Sequence, residues 1–575
     1  MITNYRPVSL LPICGKLFEK IIFDGLYNYI FTNKFISDKQ SGYRRNDSTI
    51  KQLLSITHEI YNAFDKDPSQ DLRAVFLDIS RAFDRVWHEG LIFKLKQIGI
   101  DCEYINIVKD FLADRKQRVV IDGKKSDWTS IESGVPQGSI LGPLLFLVYI
   151  NDLIDSVESD IQIFADDTFI FRLADHSSTE ELNRDLDRIT MWAHQWKMVF
   201  NPDLSKQAVE VIFSRRNVKS TLPDQLIFNN IPVKTVSETK HLGMILDEKL
   251  NFESHLSEKI AKAKQGLGLM KQLKKWVSFN TLEVIYKMYV RPHLDYGDMV
   301  YDNGEVLKNG LIPLSISSSL LRRVESLQYE AARIVSGAWD KTSKDKLYDN
   351  LGWESLQNRR IMRKLCLCYE VLNTKFPNYL YEILERQIYP ANSRFHNKGV
   401  LKEIPSRISK VKLSFFPSTI RDWNCLESHI KESNSKQIFK NKIINKIRPK
   451  KRSYYGLRDN DKIKYLTILR MELSPLRAHK FQHNFNDTSD EYCIVCGTIE
   501  DTKHFLLHCV SFRLSRTILM QRISSLVKMN ILTLSDNKIK EIFLYGSSSY
   551  DYDTNTKILM EVTSFIAGTK RLDTI

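Results

Sequence analysis

The sequence predicts an α+β fold over about its first 250 residues, followed by a mainly helical region. Two observations carry this prediction. Short apolar runs such as residues 74–79 and 161–171 alternate with segments of helical periodicity before residue 253, whereas helical spacing dominates after it. The chain has 575 residues, which is too long for one hydrophobic core, so several domains are expected.

The predicted helices are supported by apolar faces and capping residues. Residues 16–31 place apolar side chains three and four apart, on one helical face. Asp47 or Ser48 is positioned to cap a second helix that carries Ile50, Leu53 and Phe64. Further helices are predicted at about residues 91–98, 104–112 and 179–196.

The predicted strands are short and lie between turn residues. The Asp122–Gly123 pair predicts a tight turn between strands at 118–122 and 128–132. A loop with glycine and proline at 133–143 opens another helix. Later strands are predicted at residues 209–213, 226–228 and 241–246.

Composition narrows the class of protein. The net charge of +15 favours a polyanionic partner, either nucleic acid or a membrane surface. The eight cysteines are scattered irregularly, which is not a disulfide framework and favours a reducing compartment, with nucleus and cytoplasm as the expected location. The longest apolar run, residues 144–150, is too short to span a membrane, and the first fifteen residues lack a signal-peptide pattern, so no membrane partner is expected.

Three aspartates occupy unusual positions in apolar runs. Asp166 and Asp167 interrupt residues 161–171, and Asp78 stands in the run at 74–79. Carboxylates placed this way repel one another unless a cation lies between them. Magnesium prefers a few carboxylates together with phosphate. These residues therefore predict a site that holds divalent metal against a phosphate chain, where two magnesium ions could align a hydroxyl and a phosphorus.

A glycine-containing loop at residues 134–139 lies between these acids in the sequence. Its glycines allow a backbone to approach a base or phosphate closely, and Gln137 offers both a hydrogen-bond donor and an acceptor. Phe83, five residues after Asp78, could crowd the sugar of a nucleotide.

Five motifs together resemble the reverse transcriptases of non-LTR (LINE-type, jockey-like) retrotransposons. They occur in family order over roughly residues 2–250, at 4–11, 40–44, 76–84, 134–139 and 164–167. The resemblance implies a right-hand polymerase with fingers, a palm with an antiparallel sheet and a helical thumb, followed by a mainly helical C-terminal region with a small zinc knuckle.

The resemblance also implies roles for individual residues. Asp78, Asp166 and Asp167 would be the catalytic, magnesium-binding acids. The nucleotide-binding residues would be Arg44, Phe83, Gln137, Gly138 and Lys206, with Phe83 as the gate against a 2′-hydroxyl. The primer grip would be His241, Leu242 and Gly243. His241 stands where the family usually has tyrosine, and Lys206 lies further from Asn201 than the common spacing.

The implied function is RNA-directed DNA synthesis, with an RNA template, a DNA primer and deoxynucleoside triphosphates as partners. Fingers and palm are expected over residues 1–250, thumb over 251–350, a helical connector with a basic segment over 351–480, and the zinc knuckle and tail over 481–575. The family's endonuclease and upstream segment are not found, so a truncated copy with an endonuclease acting in trans is one expectation. The alternatives are a degenerate or domesticated copy that only binds nucleic acid, and a zinc-containing interaction protein.

A possible zinc site stands near the C-terminus. Cys493 and Cys496 have Cys-x2-Cys spacing, and His504 with Cys509 completes a tetrahedral set. His508 could replace Cys509 on spacing alone, and the resemblance to the CCHC knuckle of related elements favours Cys509. Four protein ligands leave no open position, so the predicted zinc is structural.

Two basic stretches are open to more than one interpretation. Lysines between residues 259 and 275 could contact nucleic acid or form a solvated face. Seven bases between residues 440 and 452 could bind nucleic acid, act as a nuclear signal or form an exposed linker.

Overall fold

The computed structural model describes most of the chain. The residues it leaves undescribed are 1–7, 67–68, 176, 202, 204–206, 217–224, 303–306, 309–311, 314–318, 339–341, 448–462, 486 and 574–575. The described chain forms two compact units. The first contains Met1–His255, Met299–Ser315 and Arg363–Lys436, and the second contains Leu256–Asp298, Ile316–Met362 and Gln437–Ile575.

The helices of the N-terminal region agree closely with the predicted ones. They are α1 (Ile13–Thr32), α2 (Thr49–Asp65), α3 (His88–Gln97), α4 (Cys102–Leu112), α5 (Leu141–Ile150) and α6 (Ser178–Gln195). Ser48 is the N-cap of α2, as one of the two predicted candidates, because its side chain accepts a hydrogen bond from the Lys51 amide. Helix α5 is buried along almost its whole length, which explains why its sequence shows no polar face.

A five-stranded sheet lies at the centre of the first unit. Its strands are β1 (Leu72–Leu77), β6 (Asp160–Phe164), β7 (Asp167–Leu173), β8 (Ala208–Phe213) and β11 (Lys234–Thr235), in the order β11–β8–β1–β7–β6. Only the β11–β8 pair is parallel among these neighbours. The central strand β1 is buried at every residue, with helices supplying the surrounding apolar core.

Smaller hairpins accompany this sheet. Four short strands, β2 (Lys116–Gln117), β3 (Val120–Ile121), β4 (Lys124–Lys125) and β5 (Thr129–Ser130), form a ribbon around the predicted Asp122–Gly123 turn. Strand β9 (Ile227–Phe228) pairs with β10 (Ile231–Pro232), and β12 (Glu238–His241) pairs with β13 (Met244–Asp247).

One predicted strand, residues 241–246, is a hairpin in the structure. Leu242 and Gly243 have φ angles of +46° and +76°, which turn the chain between β12 and β13. Four of the six residues at 241–246 are apolar, so a pattern based on hydrophobicity alone gave no sign of the turn.

The remaining chain is mostly helical, as predicted. Its helices are α7 (Glu253–Leu273), α8 (Phe279–Ile285), α9 (Arg291–Asp295), α10 (Asp298–Tyr301), α11 (Ser319–Ser336), α12 (Lys344–Leu351), α13 (Leu356–Thr374), α14 (Asn378–Glu385), α15 (Ser409–Lys412), α16 (Phe415–Asn424), α17 (Ser428–Lys431), α18 (Lys436–Ile447), α19 (Ile463–Arg470), α20 (Arg477–Gln482), α21 (Arg513–Val527), α22 (Asp536–Tyr545) and α23 (Tyr552–Thr569). Two short strands, β14 (Leu307–Lys308) and β15 (Ile312–Pro313), form another hairpin. Helices α19, α21, α22 and α23 enclose a separate apolar core that includes Leu466, Ile523 and Phe543.

Candidate active site

The sheet register brings the three predicted acids to one end of the sheet. Strand β1 pairs with β7 so that Leu77 opposes Thr168, and these two residues directly adjoin Asp78 and Asp167 in the sequence. Opposed residues of an antiparallel pair have Cα atoms about 4.5–5.5 Å apart. Asp166 precedes Asp167 in the turn that joins β6 to β7. Asp78 and Asp166 are half-buried and Asp167 is exposed, so the cluster opens toward solvent.

Gln40 fixes the turn that carries the acidic pair. Its Oε1 accepts hydrogen bonds from the amides of Ala165 at 2.9 Å and Gly42 at 2.8 Å. Its Nε2 donates to the carbonyl oxygen of Ala165 at 3.3 Å. Ala165 has a φ of +58°, a left-handed conformation that is unfavourable for alanine without such support. Gln40 therefore holds the residue that immediately precedes Asp166.

Gly42 allows the chain to close on this turn. A Cβ atom at Gly42 would lie 2.3 Å from the amide nitrogen of Ala165, so a side chain does not fit there. Sequence analysis assigned a role only to Arg44 in this motif and missed both Gln40 and Gly42. The sequence indication of these roles was the spacing of Gln40 and Gly42 within the motif. The residue that Gln40 binds lies 125 positions away, so only the fold reveals it.

Asn201 is a third residue for which the sequence predicted no role. Its Nδ2 donates to Oδ2 of Asp78 at 2.6 Å, and its backbone amide donates to the Asp78 carbonyl at 2.9 Å. The adjacent residues Ile79 and Phe200 form an isolated antiparallel bridge. Asn201 therefore holds one carboxylate oxygen of Asp78 in place with a neutral donor.

The loop at residues 134–139 is fastened to the segment that carries Phe83. The amides of Gly134 and Val135 donate to the carbonyls of Val86 and Phe83, both at 2.8 Å. Gly134 has a φ of +88°, and a Cβ there would lie 2.7 Å from the backbone of Asp84. Glycine is thus required by both conformation and space.

The same loop carries two predicted nucleotide-binding residues, Gln137 and Gly138. Gln137 donates from Nε2 to Oδ1 of Asp84 at 3.0 Å, and Gly138 has a φ of +100°. The half-buried Phe83 ring stacks on Phe146, with ring centres 4.7 Å apart. This stacking fixes the Phe83 ring against helix α5.

Glu19 fixes the end of the same loop, and sequence analysis missed it. Its buried Oε2 accepts from the Ser139 hydroxyl at 2.6 Å and from the amides of Ile140 and Leu141 at 2.7 and 3.3 Å. A carboxylate at the N-terminus of α5 satisfies amides that the helix leaves unpaired.

The Arg44 side chain is held by hydrogen bonds and an ion pair to residues 37–40. Its guanidinium donates to the carbonyls of Ser37 and Gln40, both at 3.0 Å, and pairs with Asp38 at 3.1 Å. The side chain is 7% exposed. Arg44 therefore orders residues 37–40, and with them Gln40, while its predicted contact with a triphosphate stays a prediction.

The predicted primer-grip residues form the β12–β13 turn. The His241 ring is buried against Phe76 and Phe169, which lie on β1 and β7, at ring-centre distances of 5.1 and 6.0 Å. This burial lowers the pKa of His241 to about 3. The imidazole is therefore neutral at physiological pH and supports the acid-bearing strands from behind. Lys206, the other predicted contact, lies outside the described residues.

The four predicted zinc ligands converge in the second unit. The ligand atoms of Cys493, Cys496, His504 and Cys509 all lie within 4.8 Å of one another. The sulfurs of Cys496 and Cys509 are 3.9 Å apart, close to the roughly 3.8 Å expected across a tetrahedral zinc with ~2.3 Å bonds. Nε2 of His504 is buried and makes no hydrogen bond within the described chain, as a metal ligand would. The residues fit a zinc ion.

Neighbouring groups orient this cluster. The Thr498 hydroxyl lies 3.1 Å from Nδ1 of His504, which leaves Nε2 as the ligand atom. The Val510 amide lies 3.4 Å from the Cys496 sulfur, and this contact lowers the pKa of Cys496. His508, the alternative ligand, instead pairs with Asp536 at 2.9 Å. The structure therefore groups Cys509, not His508, with the other three.

The fold and site define an α+β domain with an acidic cluster at one end of a largely antiparallel sheet. Residues 2–246 match the family described as reverse transcriptase (RNA-dependent DNA polymerase). The resemblance to reverse transcriptases that the five motifs predicted is confirmed.

Two similar relatives are named as RNA-directed DNA polymerases of Drosophila mobile elements. The chain is 31% identical over 362 residues to the RNA-directed DNA polymerase from mobile element jockey of Drosophila melanogaster, covering 60% of this chain and 37% of that protein. It is 29% identical over 345 residues to the probable RNA-directed DNA polymerase from transposon X-element of the same organism, covering 58% of this chain and 36% of the relative. The chain thus spans well under half the length of these relatives.

Among solved structures, apo telomerase from Candida tropicalis is similar over 60% of this chain and 53% of its own, at 10% identity and a TM-score of 0.32.

Within the described part of the chain, each helix is too short or too polar to cross a membrane.

Proposed function

We propose that this chain is an RNA-directed DNA polymerase of a non-LTR retrotransposon, which extends a DNA 3′-hydroxyl on an RNA template. The observation that supports the proposal is the register of β1 and β7, in which Leu77 opposes Thr168, the residues adjacent in sequence to Asp78 and Asp167. Deoxynucleoside triphosphates would be the second substrate. An endonuclease acting in trans is one source of the DNA 3′-hydroxyl.

Asp78, Asp166 and Asp167 would hold two magnesium ions. When bound, such ions neutralise charge that develops on the attacking and leaving oxygens of an in-line phosphoryl displacement. The protein's own contribution is to hold these carboxylates at fixed positions. Gln40 sets the turn before Asp166, and Asn201 sets one oxygen of Asp78. Most of the expected rate gain is therefore positional and electrostatic.

The nucleotide would lie between the acids and the loop at residues 134–139. Phe83 would exclude a 2′-hydroxyl by its bulk, because its ring is fixed against Phe146 and cannot turn away easily. Gln137 and Gly138 would approach the base pair, Arg44 and Lys206 would serve the phosphates, and the turn at 241–243 would support the primer through its backbone. In this assignment residues 1–250 are fingers and palm, and the helices within residues 251–350 supply the thumb.

Primer extension on an RNA template tests the proposal. Purified protein with magnesium and deoxynucleotides should extend a DNA primer annealed to RNA. Asp78→Asn and Asp166→Ala should each abolish extension and leave RNA binding nearly intact. The matched control is Asp155→Asn, because Asp155 is an exposed acid in the short 3-10 helix Asn151–Ser156.

The main alternative is a copy that only binds nucleic acid. It predicts RNA binding without extension by the unmodified chain, and no difference between Asp78→Asn and Asp155→Asn. A loss of RNA binding together with extension in Asp166→Ala would instead assign that acid a structural role.

A further inference from the structure

Residues 116–130 form a two-stranded antiparallel ribbon, called here the basic ribbon. Lys116 pairs with Ser130 and Gln117 with Thr129 near its base, while Val120 pairs with Lys125 and Ile121 with Lys124 near its tip. The register shifts by one residue between these two parts, so the strand after the turn carries one extra residue, as in a β-bulge. A bulge increases the local twist of a ribbon and redirects its side chains.

The basic ribbon exposes large apolar side chains. Val119, Ile121 and Trp128 are 59%, 65% and 60% exposed, and every residue of the ribbon is exposed. Such side chains contribute little to the core of the unit that carries them. Clustered exposed apolar residues on an otherwise polar element indicate a contact surface.

The charges of the basic ribbon favour an anionic partner. Lys116, Arg118, Lys124 and Lys125 oppose only two acids, Asp122 and Asp127. The Arg118 guanidinium lies 4.5 Å from the centre of the Trp128 ring. A cation stacked on an exposed indole combines a phosphate-binding group with a flat apolar face, which is the combination that unpaired nucleotides bind.

The base of the basic ribbon is fastened to the candidate active site. The Arg115 guanidinium donates to the carbonyl of Gly134 at 3.1 Å, and the Ile131 amide donates to the Arg115 carbonyl at 2.8 Å. Gly134 begins the loop that carries Gln137 and Gly138. A strand bound on the ribbon would therefore lie next to the nucleotide site.

We propose that the basic ribbon binds the single-stranded RNA template next to the active site. Paired A-form RNA hides its base faces and has a major groove too narrow for such a ribbon, whereas unpaired bases can stack on Trp128. The lysines and Arg118 would contact the phosphates and release counterions. This inference rests on the proposed polymerase function, since the template of that reaction is its ligand.

Binding assays with two ribbon variants test the inference. The full chain is titrated with a short single-stranded RNA, and with the duplex form of the same RNA, without magnesium or nucleotides. Trp128→Ala should weaken single-strand binding by roughly 5- to 150-fold and leave duplex binding nearly unchanged. Lys124→Gln/Lys125→Gln should lower the slope of log affinity against log salt by about 1.4, at ~0.7 for each lost phosphate contact.

The matched control is Lys96→Gln/Lys109→Gln, which removes the same charge from exposed positions on α3 and α4. Equal salt slopes for the two double variants would overturn the inference, as would equal losses of single-strand and duplex binding in Trp128→Ala. These results are separable from failure of the proposed function, because an unmodified chain that binds the single strand but extends no primer refutes the polymerase and leaves the ribbon contact standing. Absence of single-strand binding by the unmodified chain overturns the ribbon contact directly.

Discussion

Gln40 and Ala165 are joined by two hydrogen bonds, from the Ala165 amide to Oε1 at 2.9 Å and from Nε2 to the Ala165 carbonyl at 3.3 Å. Both residues are buried, so neither bond is shared with bulk water. Because Ala165 directly precedes Asp166, the side chain of Gln40 sets the conformation of the acidic turn. Gln40 therefore acts as a positioning residue for the acids, which it supports through the backbone of their turn.

Gln40→Ala should lower primer extension strongly and RNA binding little. Loss of the side chain leaves two buried amides without acceptors, which costs about 1–3 kcal/mol each, and allows the Asp166 turn to shift. A displacement of about 1 Å at reacting groups can reduce the rate by ~100-fold. Steady-state extension and RNA binding are measured beside the exposed control Gln195→Ala. Extension by Gln40→Ala at the rate of the control would contradict the positioning role.

Gly42→Ala should destabilise the protein because the new methyl group meets the Ala165 amide at 2.3 Å. The backbone must move, so we expect a cost of about 1–3 kcal/mol together with reduced extension. Gly268→Ala is the matched control, since a Cβ at that exposed helical position meets nothing within 4 Å. The control should be neutral or more stable by up to about 1 kcal/mol. Denaturant unfolding distinguishes the two variants, and equal stabilities would contradict the close approach.

The candidate acids and the Cys/His cluster could be found in the sequence because both stand out against their local context. Asp166 and Asp167 interrupt an apolar strand pattern, and the Cys-x2-Cys pair has a spacing set by metal geometry. The elements around them follow from periodicity and capping, as in α2 with its Ser48 cap.

The supporting residues could not be predicted in the same way. Gln40, Asn201 and Glu19 are ordinary polar residues whose function depends on partners 120 or more positions away. No local pattern specifies such a partner, since it depends on which strands become neighbours. The turn at Leu242–Gly243 was missed for a different reason, because the apolar run Met244–Leu246 follows it directly.

Removal of zinc should unfold the segment that carries the four predicted zinc ligands, residues 493–509. We expect the purified chain to contain one zinc ion, held by Cys493, Cys496, His504 and Cys509. Cys493→Ser should lose the metal and lower the thermal stability of this region. Without the cation, nothing holds the remaining ligand atoms together, and the free energy of metal binding no longer stabilises the fold. Cys102→Ser, at an exposed helix start, is the control. Metal analysis and thermal unfolding are the measurements, and unchanged zinc content in Cys493→Ser would exclude this ligand set.

His241 should make the first unit less stable in acid. Burial lowers its pKa from 6.5 to about 3, so the folded state binds fewer protons than the unfolded state below pH 6.5. The stability that neutral His241 contributes is complete above pH 6.5 and decreases as the pH falls toward 3. Near pH 5 the loss should be about 2 kcal/mol.

His241→Phe should remove this acid-linked part of the pH dependence, since phenylalanine does not titrate and suits the neighbouring Phe76 and Phe169 rings. The free energy of unfolding is measured at about pH 8 and pH 5. The exposed His194→Phe should keep the decrease seen in the unmodified chain. A decrease of the same size in His241→Phe would show that this imidazole is not the group responsible.

Asn201 should control how tightly the acids hold magnesium. Its amide donates to Oδ2 of Asp78 at 2.6 Å, so it orients that carboxylate without adding charge. Partners that orient a metal-binding carboxylate typically change metal affinity or activity by about 10- to 100-fold when removed. Asn201→Ala should therefore raise the magnesium concentration needed for half-maximal extension, while Asn106→Ala, on the exposed face of α4, should not.

Asn201→Asp should behave differently from both, because it places a second carboxylate against Asp78 and raises the cost of leaving the site without a cation. Magnesium titrations of extension compare the three variants. If Asn201→Ala and Asn106→Ala require the same magnesium concentration, the hydrogen bond to Asp78 has no part in metal binding, and the acid is oriented by the backbone pairing of residues 78–80 with 199–201 alone.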